Sequence, residues 1–174
     1  MLKHWTKLVN TDCVVIGMGE RLLYPIYRNG STSLTRACDR QYMNNEITAL
    51  DHIDVIIRDP AKRFVSGMNK YSRQHKIAVP RVYELAKQGK LVDRHFSPQY
   101  VWLCHLYRFF KGTVTLRPLT AIGDYCDNHF LRSKSTITVQ PLKEFVDIDY
   151  RLMDQLEQKQ KLQSIIERYK NVLS

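Results

Sequence analysis

The sequence is short of the features that mark membrane, zinc-finger and disulfide-stapled proteins. No window approaches the roughly 18 uninterrupted apolar residues of a membrane-spanning helix. The N-terminal stretch MLKHWTKLVNTDC lacks the apolar core of a secretory signal. The chain is therefore expected to be soluble, intracellular and cytoplasmic. Only four cysteines occur, Cys13, Cys38, Cys104 and Cys126, with no C-x-x-C pair. That spacing indicates neither a zinc site nor a disulfide framework and fits reduced, mostly buried thiols. No G-x-x-x-x-G-K-[ST] phosphate loop is present, and GMGE at Gly17–Glu20 lacks the third glycine of a dinucleotide fingerprint, which leaves it a turn. Repeats, low-complexity tracts and Pro/Gly/Ser linkers are also missing, so residues 1–174 are expected to form a single domain.

Negative charge is the scarcer sign. Asp and Glu number 17 against 27 Lys and Arg, a formal charge of +10. Such an excess favours anionic partners: nucleic acid, phosphorylated or sulfated ligands, acidic glycans or an anionic surface. The rest of the composition, 44% hydrophobic and 25% charged, is that of an ordinary globular domain.

Periodicity divides the chain into alternating elements. RLLYPIY (Arg21–Tyr27) predicts a strand, with Pro25 at an edge or strand end. STSLTRACDRQYM (Ser31–Met43) predicts a helix with hydroxyl residues as N-cap candidates. IDVIIRD (Ile53–Asp59) predicts a buried parallel strand, and Pro60 opens the next helix. On that helix Phe64, Met68 and Tyr71 share one face, which makes Tyr71 a core residue. A short helix over Pro80–Lys90, a strand over Gly112–Leu119 and an amphipathic helix over about Asp149–Leu173 follow. Strand–helix–strand–helix order implies a βαβ unit and a parallel sheet.

Two strand-to-helix junctions carry the chemistry. In YPIYRNGSTSL, a strand gives way to Arg28, Asn29, Gly30, Ser31, Thr32 and Ser33. Helix N-termini present unpaired N–H groups to anions; Gly30 permits close backbone approach, the hydroxyls add donors, and Arg28 adds a planar cation suited to phosphate or sulfate. In VIIRDPAKRFVSGMNKY, Arg58 ends the predicted strand and Ser66 lies two turns into the helix. Ligands of open α/β sheets bind at the carboxyl ends of strands, so the pair suits a ligand with two separated phosphates.

These motifs resemble those of the sulfotransferases. IYRNGSTSL is similar to their 5′-phosphosulfate loop, PKxGSTSL, and IIRDPAKRFVSGMNKY to their 3′-phosphate motif, RDPxxRxxSxxxxY. RHFSPQYVWLC (Arg94–Cys104) is similar to the HWxPQxxLC segment of the carbohydrate sulfotransferases. HFLRSKS (His129–Ser135) and DIDYRLMDQL (Asp147–Leu156) echo two further segments of that group. The resemblance spans about residues 22–156. It implies a three-layer P-loop-like α/β fold, with a central parallel sheet flanked by helices. It also implies transfer of a sulfuryl group from 3′-phosphoadenosine 5′-phosphosulfate (PAPS) to an acceptor hydroxyl, with a carbohydrate first in line.

By that resemblance Arg28 through Ser33 would hold the phosphosulfate. Arg28 stands where the family carries lysine; it would stabilise the leaving phosphate by charge without donating a proton. Arg58 and Ser66 would hold the 3′-phosphate, Arg63 would join them or lie on a solvated helix face, and Arg132 and Lys134 would cover the nucleotide. Three residues compete as the base: His95 in the HWxPQ-like segment, Glu46 after the first helix and His52 before the Ile53 strand. No metal is expected, nor is nucleic acid or a membrane as partner; oligomeric state is left open. The short chain implies a near-minimal domain of microbial or viral source. Two rivals remain: a basic nucleic-acid-binding module, and a nucleotide-binding protein without turnover.

Overall fold

A computed structural model describes residues 12–126 and 139–155 of the 174-residue chain. Arg132, Lys134 and the C-terminal helix beyond residue 155 lie outside the described residues.

The first two strands are β1 (Val14–Met18) and β2 (Arg21–Tyr24), paired antiparallel through Met18↔Arg21. The connecting turn places Gly19 at φ 59°, a left-handed conformation that glycine adopts without steric cost. Helix α1 (Ser31–Ala37) ends at Cys38, whose backbone is extended. The expected helix to Met43 is therefore cut short, and Arg40–Met43 form strand β3 against β1 instead, in the register Gly17↔Arg40 to Val14↔Met43. Pairing with the open edge of β1 overrides local propensity here. Gly17 leaves room for the crossing Tyr42 ring, which would lie 3.2 Å from a Cβ at that position.

A 3-10 turn (Asn44–Ala49) leads to β4 (His52–Ile57), followed by α2 (Pro60–His75), α3 (Val79–Lys87) and α4 (Gln99–Phe109). Strand β5 (Thr113–Pro118) and a second 3-10 turn (Leu119–Asp124) come next, and residues 143–155 form α5.

The five strands are ordered β3-β1-β2-β4-β5. The β2–β4 and β4–β5 pairs are parallel, whereas both pairs of β1 are antiparallel. The sheet is thus mixed, not wholly parallel as the sequence led us to expect. The physical reason is the Gly19–Glu20 turn: two residues can join antiparallel neighbours, while a parallel crossover needs a dozen or so.

Strand alternation sends side chains to two packed faces. Val15, Tyr24, Ile53 and Val55 face a cluster with Phe64 and Met68 of α2, Val82 of α3, Leu106 of α4 and Phe145 of α5. Ile16, Leu23 and Ile56 face Leu34 of α1 and Ile122 of the second 3-10 turn. Burial on both sides explains why β4 beyond His52 reads as an apolar run with Asp54 as its one polar residue. It also leaves the carboxyl ends of β2 and β4 as neighbouring edges from which loops emerge.

Candidate functional site

Where β2 stops, Pro25 brings no N–H to continue the ladder. The chain turns, with Asn29 N–H donating to the Ile26 carbonyl at 3.1 Å. Arg28 and Gly30 both take left-handed backbone, at φ 72° and 81°. Gly30 is the N-cap of α1, and its carbonyl accepts from Ser33 and Leu34 N–H. The cap is therefore glycine backbone and not a hydroxyl side chain. Ser31 and Ser33 are half-buried and Thr32 is exposed. A Cβ on Gly30 would stand 2.1 Å from Ile122 Cδ1, so a larger residue is disfavoured twice, by the left-handed backbone and by the shift it would force on Ile122.

Asn29 turns inward. It is 1% exposed, and its Nδ2 donates to the Ile56 carbonyl at 2.8 Å and to Gln99 Oε1 at 2.6 Å. Its side chain is thus turned into the fold, with Oδ1 left without a hydrogen-bond partner among the described residues.

The second junction meets the first. Asp59 caps α2 by accepting from Lys62 N–H at 2.7 Å, with Pro60 at the first helical position. Ser66, two turns on, accepts from Arg28 Nε and Nη2 at 3.1 and 2.5 Å. Arg58 Nη1 donates to the Arg28 carbonyl at 3.1 Å. Arg28, Arg58 and Ser66, separated by up to 38 residues, come together at one end of the sheet.

Arg63 resolves in favour of the interior. It is 2% exposed and donates to the carbonyls of Tyr27, Ser97 and Arg94. Burial pushes its guanidinium down to about 10; Asp149 opposes the shift, and Arg28 and Arg58 add to it. Arg63 therefore braces the loop from beneath, and three guanidinium groups converge. Burial also lowers Arg58, with Asp59 opposing.

The three base candidates fall in different places. His95 pairs through Nδ1 with Asp93 Oδ1 at 2.7 Å, and its ring centroid lies 5.6 Å from that of Tyr27, next to Arg28. Donation from Nδ1–H to Asp93 leaves Nε2 as the basic nitrogen. Burial alone would raise Asp93; the bonds from the His95 ring and backbone N–H outweigh it and hold the carboxyl below its ordinary value. Gly67 makes this packing possible, since a Cβ there would lie 2.2 Å from the His95 carbonyl oxygen.

Glu46 spends both oxygens locally, accepting from Met43 N–H and from Arg40 Nη2, each at 3.0 Å. The Met43 backbone bond first, then Arg40, holds its carboxyl below the ordinary range. It acts as a cap for the 3-10 turn. His52 opens β4 and lies 3.2 Å from Asp54 Oδ1. At about 3.3 Å per residue it stands roughly 20 Å along the strand from Arg58. The strand direction thus separates His52 from the Arg28–Arg58–Ser66 cluster.

Three contributors were not foreseen from the sequence. Asp93 is signalled only by its D-x-H spacing to His95. Gln99 bonds the Arg58 backbone, and Asp149 caps α4 by accepting from Gln99 and Tyr100 N–H at 2.7 and 2.8 Å. The last two lie in segments the resemblance singled out, but the contacts they make join residues 41 and 50 apart, which no local pattern exposes.

Two clefts of about 520 and about 380 Å³ lie at the other end of the sheet, around Arg21. Neither is lined by Arg28, Arg58 or Ser66. In the cluster Arg28 and Arg58 are half-buried, above the buried Arg63.

No protein-family model, curated protein or solved structure matches this chain. Among the described residues, no helix is long and apolar enough to cross a membrane, and no group of three or more His, Cys, Asp or Glu is placed to hold a metal ion. What the geometry defines is a cluster of cationic side chains where two loops meet at one end of a mixed α/β sheet, with a carboxylate-paired histidine beside it.

Proposed function

We propose that this protein is a PAPS-dependent sulfotransferase built on a three-layer P-loop-like fold. The observation that carries the reading is the convergence of Arg28, Arg58 and Ser66 at the ends of adjacent parallel strands. Those residues stand at the positions where the two motifs resemble the donor-binding motifs of sulfotransferases. Arg58 and Ser66 would take the 3′-phosphate by charge-assisted hydrogen bonds. The segment from Arg28 to Ser33 would take the 5′-phosphosulfate.

The acceptor hydroxyl, on a carbohydrate by the nearest resemblance, attacks sulfur in line. Its O–S bond forms as the bond from sulfur to the bridging phosphate oxygen breaks. Arg28 neutralises charge on the departing phosphate, and His95 Nε2 takes the acceptor's proton. The paired Asp93 favours the imidazolium so formed. The formal charge of +10 draws in the polyanionic donor.

The test is calorimetric binding of 3′,5′-ADP and 5′-AMP to wild type and to Arg58→Ala. A preference for 3′,5′-ADP that is lost in the variant supports the reading and justifies an acceptor screen with PAPS. Equal or absent binding of both overturns it and returns nucleic acid to first place.

A further inference from the structure

Strand β2 pairs with β4 as far as Tyr24↔Val55 and then departs at Pro25, while β4 runs on to Ile57. Side-chain amides take up the backbone groups of β4 beyond that point. Asn29 Nδ2 reaches the Ile56 carbonyl. Gln99 does more. Its Nε2 donates to the Arg58 carbonyl at 2.8 Å while its Oε1 accepts from Arg58 N–H at 2.9 Å. This is the double exchange that two residues of neighbouring antiparallel strands make. The same Oε1 accepts a further bond from Asn29 Nδ2 at 2.6 Å. One amide therefore grips the residue that opens the second junction and the loop that forms the first.

Gln99 is itself held. It is 1% exposed, follows Pro98, and its own N–H donates to Asp149 Oδ2 at 2.7 Å. A buried amide with this many bonds has one orientation, because turning it over would set donor against donor and acceptor against acceptor.

We infer that Gln99 is a positioning residue that locks the Arg58 backbone and the Arg28–Gly30 loop into one register, and so sets the separation of the two anion subsites. The inference rests on the donor site proposed above. It assigns Gln99 a part in telling 3′,5′-ADP from 5′-AMP without touching either.

Two variants test it. Gln99→Glu keeps the acceptor and sets a carboxylate oxygen against the Arg58 carbonyl. Gln99→Met keeps the volume and removes the amide. In each, the preference for 3′,5′-ADP over 5′-AMP falls about tenfold, the scale of one buried hydrogen bond lost. In Gln99→Glu it recovers at pH 5 relative to wild type at the same pH, because a protonated carboxyl donates again to Arg58. In Gln99→Met it does not recover. A glutamine that only stabilised the fold would change binding of both nucleotides alike and show no such recovery.

Hydrogen exchange at the Arg58 amide, followed without ligand, rises in Gln99→Met while that of β4 before it does not. An unchanged nucleotide preference in folded variants overturns the positioning role and leaves the donor site standing. Wild type that fails to distinguish the nucleotides overturns the donor site and the positioning role with it. Unchanged exchange at Arg58 overturns the clamp itself, whatever the ligand result.

Discussion

Gly30→Ala perturbs the first junction in a way that can be worked from the structure. Two penalties add. At φ 81° the new residue sits in left-handed backbone, which costs an L-residue about 1–2 kcal/mol. Its Cβ also meets Ile122 Cδ1 at 2.1 Å, far inside contact distance. Ile122 is 7% exposed and packed with Leu34 and Ile56, so its retreat disturbs that cluster at about 1–3 kcal/mol. The expected loss is thus about 2–5 kcal/mol, a large share of the stability of a typical domain. Urea denaturation followed through the buried Trp102 measures it.

Ile122→Val separates the two terms. It removes Cδ1, after which the nearest atoms to the new Cβ lie at 3.5 and 3.8 Å, ordinary contact. Alone it costs about 0.5–1.5 kcal/mol. In the Gly30→Ala background it should restore about 1–3 kcal/mol and leave the conformational penalty behind. A loss below about 0.5 kcal/mol for Gly30→Ala, within the range of ordinary surface substitutions, would refute the reasoning. So would a double variant whose losses simply add.

Further expectations follow from the neighbouring groups. Arg63→Met removes the donor to the Tyr27 and Ser97 carbonyls, while that of Arg94 keeps the Ser97 hydroxyl, and should destabilise by about 2 kcal/mol or more, read as a lower urea midpoint. Ser66→Ala removes the acceptor that two Arg28 nitrogens share, and should weaken 3′,5′-ADP about tenfold in calorimetry with little change in melting temperature. Asp93 has a depressed folded value, so the stability it contributes is present above the ordinary carboxylate value of about 4 and is lost as pH falls through the folded value. Asp93→Asn should flatten that part of the stability profile, measured by urea midpoints between pH 3 and 6; an unchanged slope would show that other carboxylates carry it.

The two junctions were legible because each is local. Glycine before hydroxyls, and an arginine–aspartate–proline run after an apolar stretch, state their backbone chemistry within a few residues. The structure places both at strand ends, with Pro60 opening α2 and Phe64 and Met68 turned to the core. What could not be read was pairing. Strand β1 and its hairpin are set by a left-handed glycine, and β3 forms only because β1 has an edge to offer. A helix pattern over Ser31–Met43 carries no information about that edge.

The base candidates divide along the same line. His52 and Arg58 sit six residues apart in sequence, and in a helix or a turn they would be neighbours. In a strand the rise per residue makes them the two ends of one rod. His95, 37 residues beyond Arg58, is brought alongside because Gly67 lets its backbone press against α2 and because Arg63 holds the carbonyls on either side of it. A buried arginine bonded to Tyr27, Arg94 and Ser97 joins the first loop to the histidine segment in one contact network. Arg63 was legible only as a cation of uncertain place. Its burial is what ties the first loop, the helix of the second junction and the His95 segment into one contact network, and it gives the arginine between Arg58 and Ser66 a structural role.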